Sequence, residues 1–536
     1  MIVAPQPAAV EAGAEVLNQG GNAFDAAVTC ALVQGVVHPQ MSGIGGYLLL
    51  NAHKIDSEAD SLSLVIDAPA LAGSKVRPEM WVDQLIRPNP NGWGYFIKNR
   101  INTVGYQSIC TPGTVRGLAE ILHRWGTISW QKATEAAARI AEEGYTVDSY
   151  TAAGWKEKAA FPEAVSLLDT IRSNGESSRI YLKPGGELYE EGEILKNPDY
   201  ARTLQELGER GAEDFYSGSL ARMISDDLGI QGGFVTAADL HGYAVRHQSS
   251  ISTDFNGYEV ATVSAPHGGP TLLCILNILE GYDLQKLRHN SAEYIYLVSM
   301  AMKAAFADRN PHLGDPQFVD APTAWMISKQ RAGQWREKID NHSPILVCFT
   351  PPEAPHTTHL SVVDRSGNCV SLTHSLGSSS GVITPGLGFM YNNSMVNFHP
   401  LPGHPNSIAA GKGRTTGMTP TIVYRNKKPF LVIGAPGATM IVTSIVQVIL
   451  NMLVFGMSVA EAVLAPRFDC QGELIKCQAR IPERVCQQIR DLHPVVRIPK
   501  SHGGFGLVHA IHIDQESGRL RGAADAGSGG MALEAN

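Results

Sequence analysis

Strands in this chain come in runs, with helical stretches on either side, and that order limits the folds open to it. Such runs point to two sheets held between helical layers. The N-terminal part opens on helices. Ala8 to Leu17 has small and apolar residues at helical spacing, and Gly20-Gly21 ends that helix. Asn22 caps the next one, Ala23 to Val37, whose small Ala26, Ala27, Cys30 and Ala31 allow close packing. His38-Pro39 ends it. Strands are expected at Tyr47 to Asn51, Leu62 to Asp67 and Tyr258 to Val263. Helices are expected near Leu118 to Trp125, Ser129 to Glu143, Thr271 to Leu279 and Ser291 to Asp308. Pro198 to Leu228 reads as helix broken at Gly208, Gly211 and Gly218. After Ile339 the pattern lapses. Strands then return at Leu360 to Val363, Cys369 to Thr373, Gly388 to Asn393 (a strand and its turn), Pro429 to Ile433 and Phe505 to Ile513, and Arg414 to Val423 reads as a loop entering a strand. Between them lie a buried helix, Thr439 to Phe455, and a short one capped by Ser458.

The first of these later hairpins begins Thr357-Thr358-His359. A threonine hydroxyl is a poor nucleophile until its proton is removed. An α-amine has a pKa of roughly 7.7–8, so a useful fraction is neutral near pH 7. A threonine with a free amine therefore carries its own general base. That base exists only once the bond between His356 and Thr357 is broken. A threonine at a strand start is also ordinary, because β-branched residues suit strands. Asn341 to His356, with four prolines and no helical period, reads either as an exposed processing segment or as an interdomain linker.

Thr357 to Asp364, with Gly367-Asn368 behind it, resembles the segment of the gamma-glutamyltranspeptidase family that begins with its catalytic threonine. Further family-like runs follow the same order: Gly20 to Val28, His38 to Gly46, Thr111 to Val115, Asp308-Arg309 and Leu313 to Pro316. The resemblance implies an α+β chain with the four-layer αββα sandwich of N-terminal-nucleophile hydrolases. It implies self-cleavage between His356 and Thr357. Residues 1–356 would be a helix-rich large piece giving strands to the core, and 357–536 a small piece beginning with the nucleophile. The two would remain one intertwined heterodimer. The substrate implied is a small-molecule amide, with water or an amine or amino acid as acceptor and no cofactor or metal.

Site residues follow from the same match. Thr357 is expected to be nucleophile and base. Ser375 stands where the family has a second threonine and would orient Thr357. The N–H groups of Gly437 and Ala438, in a tight turn before a helix, are expected to hold the oxyanion; the family has two glycines there. Thr416-Gly417 replaces a serine pair that touches the substrate. His267, His359 and His374 are read as structural. Three departures concern the acyl group. Asp67 to Leu71 supplies no arginine for a glutamyl α-carboxylate. Gly377 replaces an asparagine and is expected to leave room. Asn397 replaces an aspartate that holds the α-amine. Losing both charged anchors should weaken a γ-glutamyl head by several kcal/mol, unless an arginine distant in sequence, such as Arg414, swings in. The activity expected is gamma-glutamyltransferase-like with altered acyl specificity. A cephalosporin-type or small-acid-amide acylase is the alternative, and an unprocessed non-enzymatic protein of the same fold is the alternative of another class.

Other classes are excluded by pattern. Gly43 to Gly46 follows a helix and precedes a strand, the reverse of a dinucleotide fingerprint, and Gly46-Tyr47 cannot end a Walker A loop. A net charge of −8 without a basic block argues against nucleic acid. The eight cysteines show no CxxC spacing and are read as reduced. Ile441 to Phe455 is apolar but too short to span a membrane. The first residues do not read as a signal peptide, so a cytoplasmic protein is expected, or a periplasmic or secreted one if a leader was removed.

Overall fold

The computed structural model describes residues 1–57, 60–88, 94–159, 161–348 and 357–535. The strands of its two large sheets, in chain order, are β1 (Ile2–Ala4), β2 (Tyr47–Ser57), β3 (Asp60–Ala68), β4 (Arg246–Gln248), β5 (Ile251–Phe255), β6 (Tyr258–Thr262), β7 (Thr358–Val363), β8 (Cys369–Ser375), β9 (Thr421–Arg425), β10 (Lys428–Gly434), β11 (His509–Ile513), β12 (Leu520–Ala524) and β13 (Met531–Leu533). The first sheet runs β13-β1-β7-β8-β2-β3-β4 and the second β12-β11-β10-β9-β6-β5. Neighbours within each are antiparallel. Both sheets draw strands from either side of residue 357.

Side chains alternate between the faces of a strand, and this assigns the layers. Leu360, Val362, Val370 and Leu372 share one core with Leu48, Leu50, Ile66 and the helices α1 (Pro7–Asn18) and α2 (Ala23–Val37). Val363 and Cys369, on the opposite face, pack with Ile422, Tyr424, Val432 and Ile511 of the second sheet. The outer face of that sheet, with Val423, Leu431 and Ile433, is covered by α3 (Gly269–Leu279), α4 (Ala292–His312) and α5 (Met440–Leu453). The result is helix, sheet, sheet, helix. Every residue of α2 is buried, because it lies between the first sheet and other helices. Its start is fixed by a capping box, in which Asn22 accepts from the Asp25 N–H and Asp25 from the Asn22 N–H.

Several elements differ from expectation. Gly208 does not break its helix, which runs Pro198–Arg210. It lies against the neighbouring helix Trp130–Glu143, where a Cβ would come 2.5 Å from Thr134 Oγ1. The helix Ala292–His312 continues one turn past Asp308, which accepts hydrogen bonds from Arg331 and from Trp335 Nε1. Gly388 to Asn393 forms no strand; its backbone bonds go to Gly45, Leu376, Ser380 and Val382. The late strand begins only at His509. Of the expected segment from Asn341, residues 349 to 356 lie outside the described residues; Leu346 before them is exposed. Among the described residues no helix is long and apolar enough to cross a membrane.

The sheet around the start of β7 is polar on both faces. On the helix side, Gln34 donates to Thr358 Oγ1 at 2.9 Å and faces His374 Nε2 at 2.8 Å through its carbonyl. Gln6 Nε2 meets His38 Nδ1 at 2.6 Å, so that nitrogen accepts. Between the sheets, His359 bridges Thr373 Oγ1 at 2.8 Å and Ser361 Oγ at 3.1 Å. Burial lowers the pKa of each of these histidines. His38 falls to about 4 and His374 to about 3, the latter also through His38. His509 falls to about 4, and His359 falls well below its usual value, through burial and then the neighbouring His509 and His374.

These shifts fix the sign of an acid effect. An unfolded histidine titrates near roughly 6.5, and the folded ones stay neutral below that. The unfolded state therefore binds more protons below pH ~6.5, and stability falls as pH falls toward about 4. Each histidine contributes up to about 1.4 kcal/mol per pH unit in that window. Thermal unfolding followed from pH 8 to 5 should give a flat melting temperature down to roughly 6.5 and a steepening decline below it. A profile still flat at pH 5 would contradict this account.

Candidate active site

Pairing of β7 with β8 sets Thr358 opposite His374. One residue earlier, Thr357 and Ser375 point into the space between the sheets, and their hydroxyl oxygens lie 3.0 Å apart. Ser375 Oγ also accepts the Gly377 N–H at 2.9 Å. Both residues are buried, Thr357 at 8% exposure. His356 lies outside the described residues. The first sheet thus brings together two of the expected hydroxyls. The strand register alone is enough to do it.

The second sheet supplies the turn. Gly434 ends β10 over the His359 ring, where a Cβ would come 2.1 Å from Cε1. The turn 435–438 therefore leaves its sheet at the end where Thr357 stands. Gly437 has φ +135° and its Cβ position lies 2.6 Å from Gly506 Cα, so both chain direction and space require glycine. Ala438 follows at φ +58°. Among the described residues, no acceptor takes the N–H of Gly437 or of Ala438. They precede α5, whose N-terminal dipole favours negative charge. The turn has a rigid floor. Leu507 N–H donates to Pro436 O at 3.0 Å, and Arg467 Nη1 to Gly506 O at 2.7 Å. Arg467 is itself paired with buried Asp525 at 2.6 Å. Burial would raise the Asp525 carboxyl; the Arg467 guanidinium holds it below the usual range.

The remaining expected residues line the loops at this end. Gly417 abuts the 435–438 turn, since a Cβ on it would lie 2.1 Å from Ala438 O. Thr416 Oγ1 lies 2.8 Å from His267 Nδ1 and accepts the Met418 N–H at 3.2 Å. Asn397 is buried at 9% exposure, and its Oδ1 has no hydrogen-bond partner among the described residues. Asn406 ties the two loops, donating to Asn397 O at 2.8 Å and accepting the Thr415 N–H at 3.0 Å.

One expectation needs correction. Gly377 does not open a space: Asn393 Oδ1 fills it, 2.4 Å from a Cβ position, and bonds the Ser378 N–H. Its φ of +76° explains the glycine instead. Arg414, distant in sequence, already lies at this end of the sandwich. It is buried beside Tyr47, with its guanidinium 4.9 Å from the ring centroid, and it bonds both the Tyr47 hydroxyl and Thr415 O. Tyr47 in turn pairs with Ser375 across β2 and β8.

Sequence reasoning missed that Asp67 and His267 meet. Asp67 closes β3 and is fully buried. His267 Nε2 lies 3.1 Å from Asp67 Oδ2, off the line of a well-directed hydrogen bond. Two hundred residues separate the pair, and neither sits in a spacing that marks a dyad.

This geometry has relatives. The family model described as Gamma-glutamyltranspeptidase matches residues 9–535. "Acylase ACY 1 proenzyme" of Pseudomonas sp. (strain V22) is 34% identical over 533 residues, covering 98% of this chain and 91% of the relative. "Glutathione hydrolase proenzyme" of Bacillus subtilis (strain 168) is 31% identical over 561 residues, covering 100% of this chain and 91% of the relative. Of these two, the acylase is the more similar. The crystal structure of a cephalosporin acylase from Bacillus halodurans superposes with a TM-score of 0.86 at 24% identity, over 99% of this chain and 94% of that one, which establishes the shared fold. The chain belongs to the gamma-glutamyltranspeptidase family of N-terminal-nucleophile enzymes, whose chemistry is self-processing and acyl transfer.

Proposed function

We propose that this chain is a self-cleaving amidohydrolase with Thr357 as nucleophile and an acyl pocket that does not favour a γ-glutamyl head. The observation that carries the reading is the 3.0 Å contact between the Thr357 and Ser375 hydroxyls at the mouth of the two sheets. Breaking the bond before Thr357 frees its amine. The neutral amine takes the Oγ1 proton while Oγ1 attacks the amide carbonyl. The Gly437 and Ala438 N–H groups stabilise the oxyanion. The leaving amine takes the proton, and water or an amine then releases the acyl group from Oγ1. Ser375, fixed by the Gly377 N–H, orients the nucleophile.

The cut yields pieces 1–356 and 357–536 that stay together. β1 to β4 pair with β7, β8 and β13 within one sheet, so separation would strip the ladder and expose two cores. The acyl preference follows from charge. An α-carboxylate entering a closed site needs a matched donor, normally a guanidinium fork. Arg414 already serves Tyr47 and Thr415, and Asp67 stands where a cation would be needed. An α-ammonium meets only the neutral Asn397. The acylase relative at 34% identity supports the same direction.

Denaturing electrophoresis of pure protein should show two bands, and N-terminal sequencing of the smaller should read Thr357-Thr358-His359. An intact chain after long incubation at neutral pH would sink both processing and activity. Thr357→Ala should abolish cleavage and turnover. Thr357→Ser should keep some of each, and Ser375→Ala should impair without abolishing. Wild-type turnover by Thr357→Ala would falsify the mechanism. For the pocket, kcat/KM is compared for a γ-glutamyl anilide and a matched anilide lacking the α-amine. The ratio should stay near one, where a charge-held head would give a loss of about 2 kcal/mol or more.

A further inference from the structure

The helix-side face of β7 meets a row of neutral polar side chains that nothing in the proposed mechanism uses. Gln34, in the last turn of α2, is fully buried. Its Nε2 donates to Thr358 Oγ1 at 2.9 Å and to Gln6 Oε1 at 2.7 Å, and it lies 3.5 Å from the His359 carbonyl oxygen. Its Oε1 faces His374 Nε2 at 2.8 Å. Thr358 Oγ1 donates in turn to Gln6 Oε1 at 3.3 Å, and Gln6 Nε2 lies 2.6 Å from His38 Nδ1. The direction of this chain follows from its end. His374 Nδ1 is buried without a partner among the described residues, so a proton there would be an orphan donor, the rarer case in folded proteins. The ring proton is therefore on Nε2 and goes to Gln34 Oε1. That leaves the Gln34 N–H groups for Thr358 and Gln6.

The ladder of β7 gives this contact its purpose. β1 pairs with β7 at Val362 and Ser361, then ends at Ala4, and the chain turns through Pro5 and Gln6 into α1. The Val363 N–H donates to Met1 O, so the backbone groups of residues 363, 361 and 359 point to the β1 side. At His359 that side has no strand beside it among the described residues. The first residues of β7 are therefore laddered on one side only, by β8, and the Gln34 amide stands where the missing neighbour would be. In an intact chain, the covalent bond to residue 356 limits the movement of Thr357. Once that bond is broken, Thr357 is a chain end on a half-laddered strand. Such ends stay ordered only when something ties them down. Gln34 belongs to the 1–356 piece and Thr358 to the 357–536 piece, so their hydrogen bond is a tie across the cut.

We propose that Gln34 is a positioning residue of the processed enzyme: by holding Thr358 it keeps the new N-terminal Thr357 in place for turnover, and self-cleavage does not need it. This rests on the reading that the chain cleaves itself before Thr357. Gln34 acts through the strand, since Thr358 points to the helix side and Thr357 into the space between the sheets. Gln6 and His374 fix the amide so that its N–H groups cannot turn away from Thr358.

The test compares Gln34→Met, which keeps the length and removes the amide, with Thr358→Val, which removes only the hydroxyl. Cleavage is followed on denaturing gels, and turnover with the γ-glutamyl anilide and its matched anilide. Both variants should cleave to completion at a rate within about twofold of wild type, yet lose about tenfold in kcat with KM little changed, the size expected of one buried hydrogen bond. Thr358→Ser should keep the wild-type kcat, and the double variant should lose no more than either single one. Should Gln34→Met not fold, Thr358→Val carries each comparison. Hydrogen exchange of the peptide that begins at residue 357 needs no turnover. It should be about tenfold faster in cleaved Gln34→Met than in cleaved wild type. In the uncleaved Thr357→Ala background, adding Gln34→Met should leave it unchanged. A parallel loss of cleavage and turnover, or faster exchange in cleaved and uncleaved chains alike, shows a purely structural role and overturns the proposal. An unchanged kcat overturns it too. A wild type that stays intact overturns the self-cleavage reading and this inference with it. If cleaved wild type turns over neither anilide, the acyl reading falls and the exchange comparison alone decides.

Discussion

The pairing of β7 with β8 in the middle of the first sheet is the contact on which the site depends. It places Thr357 opposite Ser375 at a strand end, between two sheets, with the hydroxyls 3.0 Å apart. A slip of one residue would turn Thr357 out of the inter-sheet space and onto the helix side. Burial on both faces prevents that slip. Leu360, Val362, Val370 and Leu372 belong to the helix-side core, while Val363 and Cys369 belong to the core between the sheets. The register that makes the core also makes the candidate site.

The space between the sheets changes character along its length. Toward Val363 it is apolar, with Val432 and Ile511 in contact. Toward Thr357 it is lined by Ser361, His359, Thr373 and Ser371, which bond one another or the backbone of the facing sheet. Buried polar groups must be paired, and paired groups have fixed directions. The polar end therefore holds the strand that begins at Thr358 and the 435–438 turn in a set relation, at the cost of stability once acid charges the histidines. The turn gains a second brace from the Arg467–Asp525 ion pair beneath Gly506.

The loops beside the site are built on a different principle. Arg414 bonds Tyr47 and Thr415, Arg309 donates to Thr416 O, and Asp67 lies 3.1 Å from His267. Buried charges there meet neutral groups of the protein itself, which fixes the direction of the loops that carry Thr416 and Asn397.

Much of this was legible in the sequence. Helix caps, such as Asn22 and Ser458, rest on local side-chain bonds and were readable from spacing. So was the hairpin at Thr357, because alternation is a local pattern; runs of strands suggested two sheets between helical layers, while the four-layer αββα order came from the family resemblance. The family-like motifs marked Thr357, Ser375, Gly437, Ala438, Thr416 and Asn397 as candidates. What each glycine was for was not legible. Gly377 read as missing bulk, but its φ and the amide of Asn393 decide it; Gly208 read as a break, but a helix passes against it. Nor could spacing reveal that Arg414 is already engaged, or that Asp67 reaches His267 across 200 residues. A sequence fixes a residue's own propensity and its near neighbours. Which buried charge faces which ring is settled only when the ends of β3, α3 and β9 are brought to one corner of the sandwich, because pairing energies there depend on distances that no local pattern encodes.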